Sequence, residues 1–384
     1  MVIDSTRAYR PLWRCFRLLA PTFFGARSRA VYVYMVLMHL LITVLFPIHL
    51  LLGLLLPTTT PVQLFQNLTM SIVCLSCSLK HVMQIWQLPH MLEIETALRQ
   101  LDDCVQSEEE HHYYQNTLQR RVSRFTRCIY ATYTFVYVLN VPIAILTLLA
   151  EPRELLYEAW LPFDWRRGGL HYYLAFGYQY LSMVAECCQG LTNDIYTPLT
   201  LCNVSAHIHL FGIRMSRLGY SKTPEGQTNQ QLRLYFEDFK LLMRVYQLTR
   251  EVISPIQLIQ IVFCGVSMCI IVSYMIFYVR DATSFFYHIV LLAVVCLQLF
   301  PSCYFASVVA EETDQLPYAV FSGNWYEQSR GYRRNVVIFT QLTLRLANRP
   351  MMAGGLITLN LNTFFATLKM AYSLFAVIAR VKIN

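Results

Sequence analysis

The chain has 384 residues, of which 55% are hydrophobic and only 14% charged, whereas soluble domains approach a quarter charged. The apolar residues gather in long uninterrupted blocks, each followed by a charged stretch, which excludes a soluble two-domain protein and indicates an integral membrane protein. The net charge of +8 needs no nucleic-acid partner, because cationic flanks lying beside anionic lipid account for it.

In chain order, the predicted elements begin with an Arg-rich segment, 1–30, carrying Arg7, Arg10, Arg14, Arg17, Arg27 and Arg29. The uncharged run Val31–Leu56 follows. It exceeds the roughly 20 residues that cross a bilayer core and is too long for a cleavable leader, so it reads as a signal anchor. After a short loop, Pro57–Phe65, a second apolar run extends from Asn67 to about Trp86 and is broken by Lys80. Asn67-Leu-Thr69, at its outer edge, matches the glycosylation pattern. Cys74-Leu-Ser-Cys77 lacks a second ligand pair, so the motif predicts no metal; the cysteines read as small apolar residues. Gln87–Arg127 reads as helix, a polar turn around Ser107–His112, then helix leading into a third span, Cys128–Leu149. Beyond the loop Ala150–Leu170 comes the weakest span by hydropathy, His171–Val204, which holds Glu186 and Asp194. A loop over Tyr220–Gln230 precedes a stripe of Leu232, Phe236, Phe239, Met243 and Tyr246 at i, i+4, i+7 spacing. That helix is expected to run straight into span five, which starts near Ile256. Phe285–Ala310 is span six, Val336, Val337, Phe339, Leu342 and Leu346 form another stripe, and Leu356–Ala379 is span seven.

Seven spans put the termini on opposite sides. Twenty-four Lys and Arg fall in one alternating set of segments and six in the other, so the N-terminus is expected in the cytosol and the C-terminus outside. The three long segments on the basic side are amphipathic. They either pack together as a helical anchor domain or lie on lipid headgroups. The expected organisation is therefore all-α: cytosolic segment 1–30, spans one to six with their extensions over 31–310, an anchor helix segment over 311–355, and span seven with a short tail over 356–384.

Ionisable groups inside a membrane are functional candidates. Glu186 and Asp194, two turns apart, can both face the bundle interior, or Asp194 can reach water or a structural partner. Lys369 in mid-span seven cannot face lipid cheaply, so it lines an aqueous path or pairs with an acid. With Asn360, Asn362, Thr363, Thr367 and Ser373 on the same span, pore lining and interhelical hydrogen bonding are both open. Tyr180 and Met183 suit either an apolar ligand pocket or ordinary packing. HExxH, GxSxG and phosphate-binding glycine loops do not occur, so nothing points to an enzyme.

The C-terminal third resembles the insect odorant receptor family. The resemblance rests on Leu316-Pro317-Tyr318-Ala319, Asn324-Trp325-Tyr326, Arg333-Arg334, Arg349-Pro350, Gly354-Gly355, and Leu361 to Phe365 followed by Lys369 to Ser373. The Tyr…Gln-Phe ending of the related gustatory receptors does not occur, and the segment His207–Gln257 is much shorter than its counterpart in the shared co-receptor. The chain therefore resembles a fly-type, ligand-specific tuning subunit. That resemblance implies a heterotetrameric, odorant-gated cation channel formed with the co-receptor in the plasma membrane of olfactory neuron dendrites, with small volatile apolar ligands and no cofactor. It places an outer hydrophobic gate at Val377 and Val381 around Arg380, makes span seven pore-lining, and puts the odorant pocket, by depth, at Thr69, Ile72, Asn140, Ile143, Phe176, Tyr180, Met183 and Tyr287. A G-protein-coupled receptor would need an external N-terminus, an Asp-Arg-Tyr after span three and an Asn-Pro-x-x-Tyr in span seven. An inverted-repeat transporter would need an internal repeat, which the sequence does not display.

Overall fold

The computed structural model describes residues 3–26, 28–56, 61–151, 153–220, 225–279 and 282–383. A short amphipathic helix, α1 (Arg10–Leu19), precedes the bundle and buries Leu12, Trp13, Phe16 and Leu19. The first span is α2 (Arg29–Met38), a π-helical stretch (His39–Leu45) and α3 (Phe46–Gly53). Pro47 at the start of α3 offers no N–H to the carbonyl of Thr43, and the widened turns lie immediately before it. Then come α4 (Pro61–Asp103), α5 (Glu108–Tyr113), α6 (Gln119–Leu149), α7 (Leu170–Ser216), α8 (Glu225–Phe277) and α9 (Ala282–Phe321). The chain ends with α10 (Arg330–Ala347), a hairpin of β1 (Met352–Ala353) and β2 (Ile357–Thr358), and α11 (Leu361–Ile383).

Seven of these segments are transmembrane helices. Five combine length with high hydropathy: Arg29–Gly53, Gln63–Asp103, Glu108–Leu149, Gln227–Phe277 and Phe285–Phe321. α7 and α11 complete the set, the polar residues of α7 lowering its hydropathy as the sequence foreshadows. α7 packs along α9, and α4 along α8. α6 lies at the edge, with Phe135, Val138, Ile145 and Leu146 exposed to the place of the lipid.

α4, α7, α8 and α9 are far longer than a span. At about 1.5 Å per residue the 53 residues of α8 reach about 80 Å, more than twice a hydrocarbon core of about 30 Å. Their basic-side extensions pack together with α10, as one of the two sequence readings has it. Phe211 of α7, Phe236 and Phe239 of α8 and Phe339 of α10 interlock, with the Phe239 and Phe339 rings edge-on at 4.9 Å. Arg214 is buried between Glu110, to which its Nε donates, and Asp238, to which its Nη1 donates at 2.9 Å. Ser107 and Glu110 form a reciprocal cap on α5.

Several expectations need correction. Lys80, counted among the twenty-four basic-side residues, is buried in the bundle, which leaves the asymmetry otherwise intact. His111 and His112 lie within α5, and the break between α4 and α5 falls before its cap at Ser107. Val337 faces outward, while Val336, Phe339 and Leu346 form the packed face of α10. Part of the Tyr220–Gln230 loop is helical, since α8 starts at Glu225, and residues 221–224 lie outside those described. The hairpin was not foreseen. It is antiparallel, with Met352 opposite Thr358 and Ala353 opposite Ile357, turning at Gly354 and Gly355, whose φ of 61° and 70° suits glycine.

Candidate functional site

The end of the bundle opposite the basic extensions is closed by the loop between α6 and α7, which folds inward on its own apolar residues. Leu155, Ala159 and Leu161 are buried, and the amide of Trp160 donates to the carbonyl of His49 at 3.0 Å. The approach requires Gly53, because a Cβ there would lie 2.5 Å from the Glu158 carbonyl oxygen. Gln179 of α7 clamps the loop from the other side. Its amide donates to the Tyr157 carbonyl at 2.8 Å, and its side-chain oxygen accepts from the Tyr157 N–H at 3.4 Å.

Two apolar clusters form beneath this cover. In one, Phe176 packs with Ala144, Tyr172 and Leu161, with Tyr180 at its margin. In the other, Met183 and Met70 pack on Phe46, Leu50, Cys74 and Ala159. Tyr178 touches both clusters, which otherwise separate Phe176 and Tyr180 from Met183. The remaining five depth-assigned residues are placed differently. Thr69 returns its hydroxyl to the Phe65 carbonyl at 2.9 Å, and Ile72 is partly buried. Asn140 donates to the Val136 carbonyl at 2.8 Å, Ile143 is exposed, and the exposed Tyr287 ring meets His288 edge-on at 5.1 Å. Gln179, Tyr157 and His49 were missed, since only a loop folding inward brings them together. A separate apolar groove of about 400 Å³ opens between α6 and α9, lined by Ala131, Thr132, Phe135, Ile289, Ala293 and Leu297; none of the eight residues borders it. Asn67 is 3% exposed, and a buried amide is no substrate for glycan transfer once the bundle has formed.

Deeper in the bundle, polar side chains tie four helices together. Lys80 of α4 donates to Asp194 of α7 at 2.8 Å and to Gln260 of α8 at 2.5 Å. The hydroxyl of Tyr133, on α6, donates to the other Asp194 oxygen at 2.5 Å. Asp194 therefore has a structural partner. One and two turns nearer the outer face, Gln189 donates to Thr43 of span one at 2.9 Å, and Ser78 donates to Glu186 at 2.7 Å. Charges this deep persist only when paired and hydrogen-bonded.

α11 is anchored at its base and exposed along one face. Ser307 of α9 accepts from the Leu361 N–H at 2.9 Å, Asn360 caps the helix at Thr363, and Gly354 donates to the Ser254 carbonyl at 2.9 Å. Phe364, Thr367 and Ala371 are buried; Thr367 and Met370 close on Gly265 of α8. On the opposite face Asn362, Ala366, Lys369 and Ser373 recur at helical spacing and are exposed. Among the described residues, no carboxylate pairs with Lys369. The side chains of Val377, Arg380 and Val381 lie outside the described residues.

A profile of the family described as 7tm Odorant receptor matches residues 60–372. Odorant receptor 33c of Drosophila melanogaster is 51% identical over 382 residues, spanning 100% of this chain and 99% of that one. Odorant receptor 33a of the same organism is 34% identical over 87% of each chain. Among solved structures, the olfactory receptor OR5 of Machilis hrabei superposes with a TM-score of 0.81 over 99% of this chain and 100% of its own, at 16% identity. Its complex with eugenol superposes with a TM-score of 0.78 at 17% identity, again over 99% of this chain and 100% of its own.

Proposed function

This chain belongs to the odorant receptor family, and we propose that it works as the ligand-binding subunit of an odorant-gated cation channel assembled with the shared co-receptor. The observation that carries the channel reading is Lys369. A cation in mid-span with no acidic partner among the described residues is costly against lipid, and Asn362 and Ser373 continue its exposed face. In an assembly around a central axis, that face lines water. The N-terminus is cytosolic in this reading, as the basic extensions require. The exposed apolar residues Val337, Ile338 and Leu344 of α10 then present a surface to neighbouring subunits. The protein resides in the plasma membrane of olfactory sensory neurons, in their dendrites.

The proposed odorant site is the pair of covered clusters that hold Phe176 and Tyr180 on one side and Met183 on the other, bridged by Tyr178; Thr69, Ile72, Asn140, Ile143 and Tyr287 are assigned to it by depth alone. Apolar walls with a few hydroxyls select small, volatile, largely apolar molecules. The eugenol complex of the Machilis hrabei receptor supports a ligand of that size. A ligand opens the channel only by binding the open arrangement better than the closed one.

Recording from cells that express the chain with and without the co-receptor, under G-protein blockade, tests the reading. Fast currents that need both subunits and survive the block are expected; loss under the block refutes it. Tyr180→Ala and Met183→Ala should reorder the responses to a panel of volatiles. An unchanged order removes those residues from the site.

A further inference from the structure

Four arginines converge on one cavity at the basic end of the bundle. Arg10, Arg14 and Arg17 recur on the exposed face of α1, and Arg99 approaches from α4; with Trp13 and Glu95 they line a space of about 310 Å³. That volume falls at the lower edge of small-molecule sites. Among the described residues, the acid lining it is Glu95, which already accepts from Arg99. Arg10 pairs with Asp4 at 2.7 Å, and Arg17 lies over the Phe24 ring. Arg14 has no carboxylate partner among the described residues. The indole of Trp13 is 6% exposed, yet its Nε1–H is buried without an acceptor among the described residues. Such a donor costs free energy unless something accepts from it.

The depth of α1 narrows the choice of occupant. Tyr34 of the first span donates to the Leu18 carbonyl, and the His39 ring lies 3.0 Å from the Leu19 carbonyl, so the end of α1 reaches past the start of α2 into the span. Leu18 and Phe23 are exposed beside Arg14 and Arg17, the pattern of a helix lying in the headgroup layer.

We propose that this cavity binds a phosphate-bearing polyanion, the headgroup of a polyphosphorylated inositol lipid or its soluble counterpart. Guanidinium forks grip phosphate oxygens in pairs, and the Trp13 N–H supplies a further donor. A lipid source rests on the cytosolic orientation given above, because such lipids belong to the cytosolic leaflet; the cavity chemistry does not depend on it. An occupant there would tie the first helix, α4 and the membrane surface together.

Native mass spectrometry of the purified full-length chain tests this with three probes: dioctanoyl phosphatidylinositol 4,5-bisphosphate, soluble inositol trisphosphate and dioctanoyl phosphatidylcholine. One bisphosphate lipid per chain is expected, with phosphatidylcholine not retained. At about 1 kcal/mol per basic residue, Arg14→Gln combined with Arg17→Gln should weaken binding roughly thirtyfold. Arg120→Gln with Arg127→Gln, on the exposed surface of α6, should leave it unchanged. Trp13→Phe keeps the packed ring and removes only the donor, so a severalfold loss with unaltered thermal unfolding supports the indole contact. Inositol trisphosphate binding as tightly as the lipid supports the site and assigns it to a soluble polyphosphate. Failure of both phosphorylated probes to bind, or equal losses in the Arg14/Arg17 and Arg120/Arg127 variants, overturns the proposal.

Discussion

Lys80 shows how differently a residue reads by sequence and by position. Hydropathy registers it as a break in an apolar run, and its charge adds to the basic side. The structure instead buries it against Asp194 and Gln260, which join it only through helices more than a hundred residues apart in the chain. Removing one partner of a buried pair costs about 3–5 kcal/mol, because the other is left charged and unpaired. Lys80→Met should therefore lower the melting temperature of the detergent-solubilised chain sharply, while Lys80→Met with Asp194→Asn recovers most of the loss. A double variant no better than the single one would show that the two groups are not coupled. His207 offers a second test, beyond the membrane-spanning part of α7. It lies 3.4 Å from both the Ser5 hydroxyl and Asp102. Burial, assisted by the Arg214 charge, pushes the imidazole down to about 3. Its unfolded value is about 6.5, so its contribution to stability is complete above that pH and is lost as pH falls toward 3. His207→Gln should flatten the drop in melting temperature between pH 7.5 and pH 5; an unchanged slope would place the acid sensitivity elsewhere.

Among the elements, the long helices were legible because their apolar stripes continue beyond the lengths a membrane needs. Leu232, Phe239 and Tyr246 are buried on α8 as their spacing foretells, whereas Val337, adjacent to Val336, falls on the far side of α10. Two elements were not legible. The loop after α6 looks like a plain connection, and its burial depends on Gly53 and Gln179, distant in sequence. The hairpin hides in Gly354-Gly355, which the resemblance flags without saying what it builds. Gly354 combines a left-handed backbone with a tight fit, since an added Cβ would lie 2.5 Å from Cδ2 of Leu258. Gly354→Ala should thus displace the base of α11, reducing odorant-evoked current severalfold at matched surface expression. Currents of normal size would mean that α11 does not depend on this turn.

For the whole molecule, the sequence supplied the span count and family resemblance, while the exposed face of α11 needed the packing of α8 and α9 to be seen. If that face lines a shared pore, the Lys369 charge repels permeating cations. Lys369→Gln should raise cation conductance in assembled channels, with the odorant dose dependence little changed; unaltered conductance would take Lys369 out of the ion path. The hairpin also has a mechanical consequence. Gly354 is bonded to Ser254, one residue before Pro255, where α8 lacks a backbone hydrogen bond and is easiest to bend. The base of α11 is thus fastened at a fulcrum of α8, between its membrane-spanning arm and its packed extension. A base fastened there couples any bend of α8 at Pro255 to the direction in which α11 leaves the hairpin. The quantity passed between the two helices is therefore an angle, set at one turn of backbone.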